Sequence, residues 1–372
     1  MSDYLPTPAS GDPRPVPGNG GSSGSGGSGV VGIEDVAAEA GVSTASVSRA
    51  LSGRGNVSAA MLAKVLAAAD KLGYVASSTA SSLSSGRTRS IGVLSPTLGR
   101  WYFSSLVGAV TDQLTRVGYD TTLYSVTDDP AERRQLFGTV MRRRRVDALL
   151  SIAVTLEADE LAALRQLGLP VLTVGGRMAD LPALSADEAG MARLATEHLL
   201  GLGHRDIAFL GGAEEFDVDF HVPAQRRSGW EDALLGASVP AQPRLFAGAD
   251  FTVLGGRDAA RSLLGSGAAP TAIFAASDEM AIGARLAAQE LGFRVPEDLS
   301  IVGIDGHPLA EVYGITTVTQ FVPELGATAA ESVVRHLDHG APLDSDAPAP
   351  HALIVRTSTA RPRATTAVEA RA

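Results

Sequence analysis

Between residues 33 and 52 apolar and polar positions alternate with the period of a helix, twice, around a glycine. Ile33, Val36, Ala37 and Ala40 fall at i, i+3, i+4 and i+7, which turns one apolar stripe inward and leaves Glu34, Asp35 and Glu39 in water. Gly41 tolerates the left-handed backbone that closes a helix, and Ser43 is placed to accept an amide from the next first turn. In the second helix Val47, Ala50 and Leu51 face inward, so Thr44, Ala45, Ser48 and Arg49 share the outer surface. Two short helices with a tight turn, the second carrying short side chains outward, are the layout of a helix-turn-helix that reads base edges in a major groove. A third helix is predicted from the Ser58 cap, with Met61, Leu62, Val65, Leu66, Ala69 and Leu72 inward and Gly73 just past its end. Plain helical bundles share this spacing, so the pattern by itself leaves both readings open.

From Ser90 the period changes. Short apolar strands (SIGVLSP, DTTLYSV, VDALLSI, PVLTVGG) alternate with helices, one running through Val117 and one to Arg145. A second set follows: DIAFLGG, TAIFAAS and LSIVGID, separated by helices around 222–236, 253–265 and 278–291. Repeated strand–helix units imply two doubly wound parallel sheets, and such a pair of lobes binds ligands in the cleft at the carboxyl ends of its strands.

A chain of 372 residues with 45% apolar and 19% charged content suits a globular protein of two or three domains. No stretch reaches the apolar length of a membrane helix, and the start lacks a basic-then-apolar export pattern, so no membrane partner and a cytoplasmic location are expected. The absence of cysteine excludes disulfides and thiol chemistry. Residues 1–29 form a Pro/Gly/Ser-rich tail too poor in apolar groups to fold. The net charge of −10 opposes nucleic-acid binding until it is divided along the chain: residues 30–90 hold six basic and four acidic residues, net +2, and the tail is −1, which leaves −11 for the rest. A balance of +2 is mild, so DNA affinity would depend on dimerisation and helix N-termini more than on bulk charge.

The segments VSTASVSRALSGRGNVS, KLGY and SGRTRSIGV together resemble the LacI/GalR family of transcriptional regulators, and the likeness runs from about Val30 to Arg361. The resemblance implies an all-α helix-turn-helix DNA-binding domain followed by an α/β periplasmic-binding-protein-like effector domain of two doubly wound lobes. It places base readout on Thr44, Ala45 and Arg49, of which Arg49 can offer a bidentate fork and Ala45 only a methyl. Ser43, Ser46, Ser48, Ser58 and Tyr74 are read as groups that position the reader on the DNA backbone. The family also wedges a hinge-helix leucine into the minor groove; Leu83 holds the matching position, with Ala80 one turn before it. Family members usually have Pro, Asn and Arg where this chain has Ala76, Ser77 and Ser81. A serine-rich hinge is expected to be disordered without DNA and helical on it.

Asp187, Arg226, Asp278 and Asp305 match positions the family uses for its effector, and Phe251 and Gln320 complete the set. Trp101, Tyr102 and Phe103 follow the first strand where the family has an aromatic pair, so one is expected at the ligand and two in the core. Carboxylates accept from hydroxyls, arginine donates in a fork and an aromatic face stacks on a pyranose, which favours a carbohydrate effector. Asp278 could instead cap the helix it opens. The VGGR at 174–177 lacks the frequent acidic residue before Arg177, and Gly306 follows Asp305 where a second aspartate is common, so the ligand cannot be copied from a relative. The resemblance further places three crossings between lobes, near Asp187, Thr319 and residues 345–350.

The run RRRR at 142–145 resembles a nucleic-acid patch in isolation, but it closes a helix before a strand and is read as a solvated C-terminus. The seven histidines show no metal-ligand spacing, and GSGGSG in the tail has neither strand before it nor helix after it, so no metal or cofactor is expected. An exported sugar binder would not need residues 33–83, and an enzyme would need a nucleophile, metal set or cofactor fingerprint. The expected protein is therefore a transcriptional repressor rather than an enzyme, with a tail (1–29), reader (30–75), hinge (76–89), two-lobed effector and dimerisation domain (90–361) and tail (362–372). Its expected partners are double-stranded operator DNA, a sugar or sugar derivative, and a second copy of itself, with pairing into tetramers left open.

Overall fold

The computed structural model describes residues 31–52, 57–74, 87–178, 180–212, 221–344 and 349–363. They fall into two compact units that divide at Ser81 and Ser82. The hinge positions Ala80 and Leu83 and the terminal tails lie outside the described residues.

The first unit is three helices, α1 (Ile33–Ala40), α2 (Thr44–Ser52) and α3 (Ala59–Leu72). Gly32 donates to the Asp35 carboxylate at 2.8 Å and so opens α1, while Gly41 closes it at φ 66°. Ser43 accepts from the Ser46 amide, and Ser58 from that of Met61. The core is small: Val36, Ala37, Val47, Ala50, Val65, Ala68 and Ala69, with Ile33, Ala40, Leu51, Leu72 and Tyr74 packed on its edge. One expectation fails on α3. Leu62 and Leu66 are exposed, at 37% and 50%, and Ala68 takes an inward place instead. α1 and α2 together cover only the side carrying Val65, Ala68, Ala69 and Leu72, and no described element lies over the neighbouring stripe.

The second unit has two lobes. Strands β1 (Ser90–Ser95), β2 (Asp120–Ser125), β3 (Ala148–Ile152), β4 (Val171–Val174) and β5 (Ala183–Leu184) form a parallel sheet in the order β2-β1-β3-β4-β5. Between them lie α4 (Trp101–Arg116), α5 (Pro130–Gln135) and α6 (Ala158–Leu167). The helix expected to reach Arg145 stops being α-helical at Gln135 and continues as a π turn, Leu136–Val140, and a 3-10 turn, Met141–Arg143. Gly138 weakens the α-helical option there, and both Phe137 and Met141 still reach the core.

After α7 (Glu188–Leu202) come β6 (Ile207–Gly212), α8 (Val222–Gly236), β7 (Phe246–Ala249), α9 (Val253–Gly265), β8 (Ala272–Ala275) and α10 (Asp278–Glu290). β9 (Ser300–Asp305), α11 (Pro308–Val312), β10 (Thr316–Thr319), α12 (Val322–His339) and β11 (Ala352–Ile354) complete the chain. The second sheet runs β11-β10-β9-β8-β6-β7, parallel except for β10 with β11. α7, α11, α12 and the short strands β5, β7, β10 and β11 add to the predicted pattern. The chain passes from β5 to α7 and the second sheet at 185–187, and returns at Gln320 and Phe321 to α12, whose Val322, Leu325, Ala329 and Val333 sit in the first lobe's core. It then goes back to β11 after Gly340. Three crossings make the two lobes one unit with a cleft at the strand ends.

Candidate functional site

In the first unit the surface opposite the core of α2 is polar and shallow. Thr44, Ala45 and Arg49 are exposed and Ser48 half-buried, so the helix face offers two short side chains and one long donor. The Arg49 guanidinium Nε donates to the Ala45 carbonyl at 3.2 Å, which lays it along the face. Ser43 and Ser46 share a hydroxyl hydrogen bond of 2.9 Å at the amino end of α2, where backbone amides point outward. Tyr74 packs on the core edge, and its amide donates to the Ala69 carbonyl at 2.8 Å. These elements can present a narrow helix end to a groove and dock phosphates at its N-terminus.

In the second unit the cleft cavity is lined from both lobes. Arg100, Tyr102 and Phe103 come from the start of α4, Glu188 from α7, Arg226 from α8, Ser277 and Glu279 from either side of the α10 start, and Asp305 from the end of β9. Its centre is Arg226, only 4% exposed. The guanidinium Nε donates to Glu188 Oε2 at 2.7 Å, one terminal nitrogen donates to the Ala276 carbonyl, and the same nitrogen stands 3.8 Å from Asp305 Oδ1. Burial works against the charge, but Glu188 and Asp305 outweigh it and hold the arginine above its usual pKa. Asp305 in turn accepts from Gln320 Nε2 at 2.8 Å. Burial raises its carboxyl despite Arg226, and the carboxylates of Glu188 and Glu279 push the same way.

Backbone shape supports the arrangement. Ala153, Phe251 and Asp305 hold positive φ of 47°, 62° and 134° although none is glycine, and all three line the cavity. Non-glycine residues in such regions are costly and gather where a binding geometry is enforced. Phe251 packs where a Cβ on Gly212 would meet its ring at 2.5 Å, so glycine is required there to seat the aromatic wall. Arg100 lies over that ring, 5.4 Å from its centroid.

Of the nine effector residues expected from sequence, Tyr102, Phe103, Arg226, Phe251 and Asp305 line the cavity. Gln320 is 1% exposed and acts through Asp305, with its Oε1 lacking a described partner. Trp101 stands behind, its ring 4.7 Å from that of His307. Asp187 is exposed and caps α7 by accepting from the Gly190 amide at 2.8 Å, so the carboxylate turned into the cleft is its neighbour Glu188. Asp278 is fully buried away from the cavity. Its Oδ2 accepts from the His307 amide at 2.8 Å, and the helix cap it could have formed is made by Ser277, which accepts from Met280. Burial first, and the nearby Asp305 second, raise the Asp278 carboxyl well above the carboxylate range. Glu188, Ser277 and Glu279 escaped the sequence reading by one position each. For Glu188 the signal available was that a cap at Asp187 occupies that carboxylate and leaves the next side chain to the cleft.

Comparison with known proteins agrees with both halves. Residues 32–77 match the family model described as bacterial regulatory proteins, lacI family, and residues 196–359 match that of a periplasmic binding protein-like domain. The HTH-type transcriptional regulator MalR of Streptomyces coelicolor is 33% identical over 348 residues, covering 88% of this chain and 96% of that one. The lac repressor dimer bound to operator and the anti-inducer ONPF superposes with a TM-score of 0.77 at 28% identity, covering 89% of this chain and 99% of that one. A complex of the transcriptional regulator CelR with cellobiose gives 0.64 at 28% identity, with 88% and 99% covered. No helix among the described residues is long and apolar enough to cross a membrane. With a helix-turn-helix ahead of a two-lobed ligand-binding fold, and relatives that are transcriptional regulators along nearly their whole length, this chain belongs to the LacI family of DNA-binding transcriptional regulators.

Proposed function

We propose that the protein is a homodimeric repressor whose hold on a double-stranded operator is set by a small polyhydroxy effector, a sugar or sugar derivative, bound between its lobes. The observation that carries this reading is the buried constellation of Arg226, Glu188 and Asp305 beside the aromatic walls of Phe251 and Tyr102. A guanidinium among carboxylate acceptors matches vicinal hydroxyls, and the rings suit the apolar face of a pyranose. The similar CelR is known as a cellobiose complex and the similar lac repressor as a dimer on operator DNA, which supports the same classes of partner here. Thr44, Ala45 and Arg49 on α2 meet base edges, and Ala80 and Leu83 belong to the hinge that reaches the minor groove. The two subunits pair through their effector lobes. Ligand that closes the cleft changes the angle between lobes and weakens DNA binding, and by linkage DNA weakens ligand binding by the same factor.

Selection of duplexes from random DNA yields the operator, and thermal shift against a sugar panel yields the ligand. Replacing Asp305 by Asn is expected to leave binding of the selected duplex intact while abolishing the ligand shift. Turnover of a sugar by the pure protein, or no preference for any duplex over scrambled competitors, would sink the reading.

A further inference from the structure

The end of the first lobe opposite the cleft carries a charge that the effector site does not use. β1 and β3 run parallel with Ile91 beside Ala148, so their amino ends emerge together. Asp147 ties them by accepting from the amides of Thr88 and Arg89 at 2.7 and 2.8 Å. The arginine run 142–145 leads into β3 at this same end. All four side chains are exposed, and none makes an ion pair or side-chain hydrogen bond with a described residue. Arg116, at the end of α4, and Arg89, over the Tyr119 ring at 5.2 Å, stand at the same edge. The nearby acids are largely engaged: Asp147 by the amides above and Asp338 by Arg87 at 3.0 Å, with Asp120 exposed. The run does not close an α-helix, because its first two arginines lie in the 3-10 turn that follows a π turn, and Arg144 takes left-handed backbone at φ 48°. Stabilisation by a helix dipole therefore explains little of it.

Residues 91–372 are net −11, so this is a concentrated positive end on an acidic body. Adjacent like charges repel, and a polyanion relieves that repulsion. Position along the chain points the same way. Arg87 follows Tyr74 of the reader by thirteen residues. Such a tether spans at most about 45 Å when fully drawn out. That length allows a duplex held by α2 to reach the end at which β1 starts. We propose that this end of the first lobe, centred on the run 142–145, is a second and sequence-independent contact to the phosphate backbone of the duplex that α2 reads. The proposal rests on the DNA-binding reading above. Arginine forks suit phosphate oxygens, and contacts of this kind add affinity without adding sequence preference.

The test compares the full-length chain with the quadruple variants R142Q/R143Q/R144Q/R145Q and R142K/R143K/R144K/R145K. Each is titrated against labelled 40-base-pair duplexes, one carrying the selected operator and one scrambled, over a salt series. The glutamine variant is expected to lose about tenfold or more in affinity for both duplexes, with a salt dependence shallower by about 0.9 for each phosphate that is no longer neutralised. The ratio between duplexes should stay constant, and the lysine variant should keep most of the affinity. Equal affinity and salt slope for the glutamine variant would overturn the proposal and leave the run for an acidic protein partner. A lysine variant as weak as the glutamine one would overturn it too, because the weakening would then not follow charge. If the unsubstituted chain shows no preference for the selected site, the operator reading fails, while the salt slopes on scrambled DNA still decide the arginine surface.

Discussion

The helical reader and the two-lobed sensor place their chemistry on opposite sides of their surfaces. The reader buries seven small side chains, all valine or alanine, and keeps Thr44, Ala45 and Arg49 in water. In the sensor the arrangement is inverted: Arg226, Asp305 and Gln320 are all under 10% exposed, and the second lobe buries large side chains such as Trp230, Phe209 and Phe274. A groove of DNA comes to an exposed helix, so a binding surface costs the reader little stability. A small ligand must be enclosed, so the sensor has to bury charge and offset the desolvation with partners.

That contrast predicts where substitutions should hurt. The largest effect is expected for Arg226→Ala, which strands Glu188 and Asp305 as buried carboxylates. It should destabilise the sensor by about 3–5 kcal/mol in urea melts; a change below about 1 kcal/mol would show that the cleft is wetter than its burial implies. In the reader, Val65→Ala opens a gap in the small core. It should cost on the order of 2 kcal/mol and lower the melting of the reader alone, read by hydrogen exchange through α1 to α3. Arg49→Ala should leave both melts unchanged and reduce binding to the selected duplex by about 1–3 kcal/mol, with little effect on scrambled DNA. At the small end, the Lys71–Glu39 pair spans 2.7 Å but its side chains are 67% and 36% exposed. Lys71→Ala should therefore shift reader stability by less than about 0.5 kcal/mol.

The buried carboxyls of the sensor should also make its stability depend on pH. Burial raises the carboxyls of Asp278 and Asp305 in the folded sensor, so between the ordinary carboxylate range and their folded values the folded state binds more protons than the unfolded one. Stability contributed by these groups is then present at low pH and falls as pH rises from about 4 toward neutrality. Asp278→Asn keeps an acceptor for the His307 amide and removes the titration. Its thermal midpoint should gain on the parent chain as pH rises through that window. A constant difference between the two chains across pH would refute the assignment.

Period and punctuation along the chain were sufficient for the reader's helices and the seven apolar strands, though not for α7, α11, α12 or the short strands. Gly41, Ser43, Ser58 and Gly73 act locally, so the reader's helices and caps follow from sequence, as do the seven apolar strands with their turn signals. The same held for side chains whose task is to face water, because the face opposite an apolar stripe is set by helix geometry alone. Tertiary structure decided the rest. Leu62 and Leu66 belong to a stripe that no described neighbour covers, and edge strands such as β7 and β11 are too short to announce themselves. In the cleft the decision was finer still: whether Asp187 or Glu188, Asp278 or Glu279, turns toward the ligand depends on which one a cap or a buried amide has already claimed. Helix period names a face, but only packing from strands and helices distant in sequence fixes which polar atom remains free to point inward.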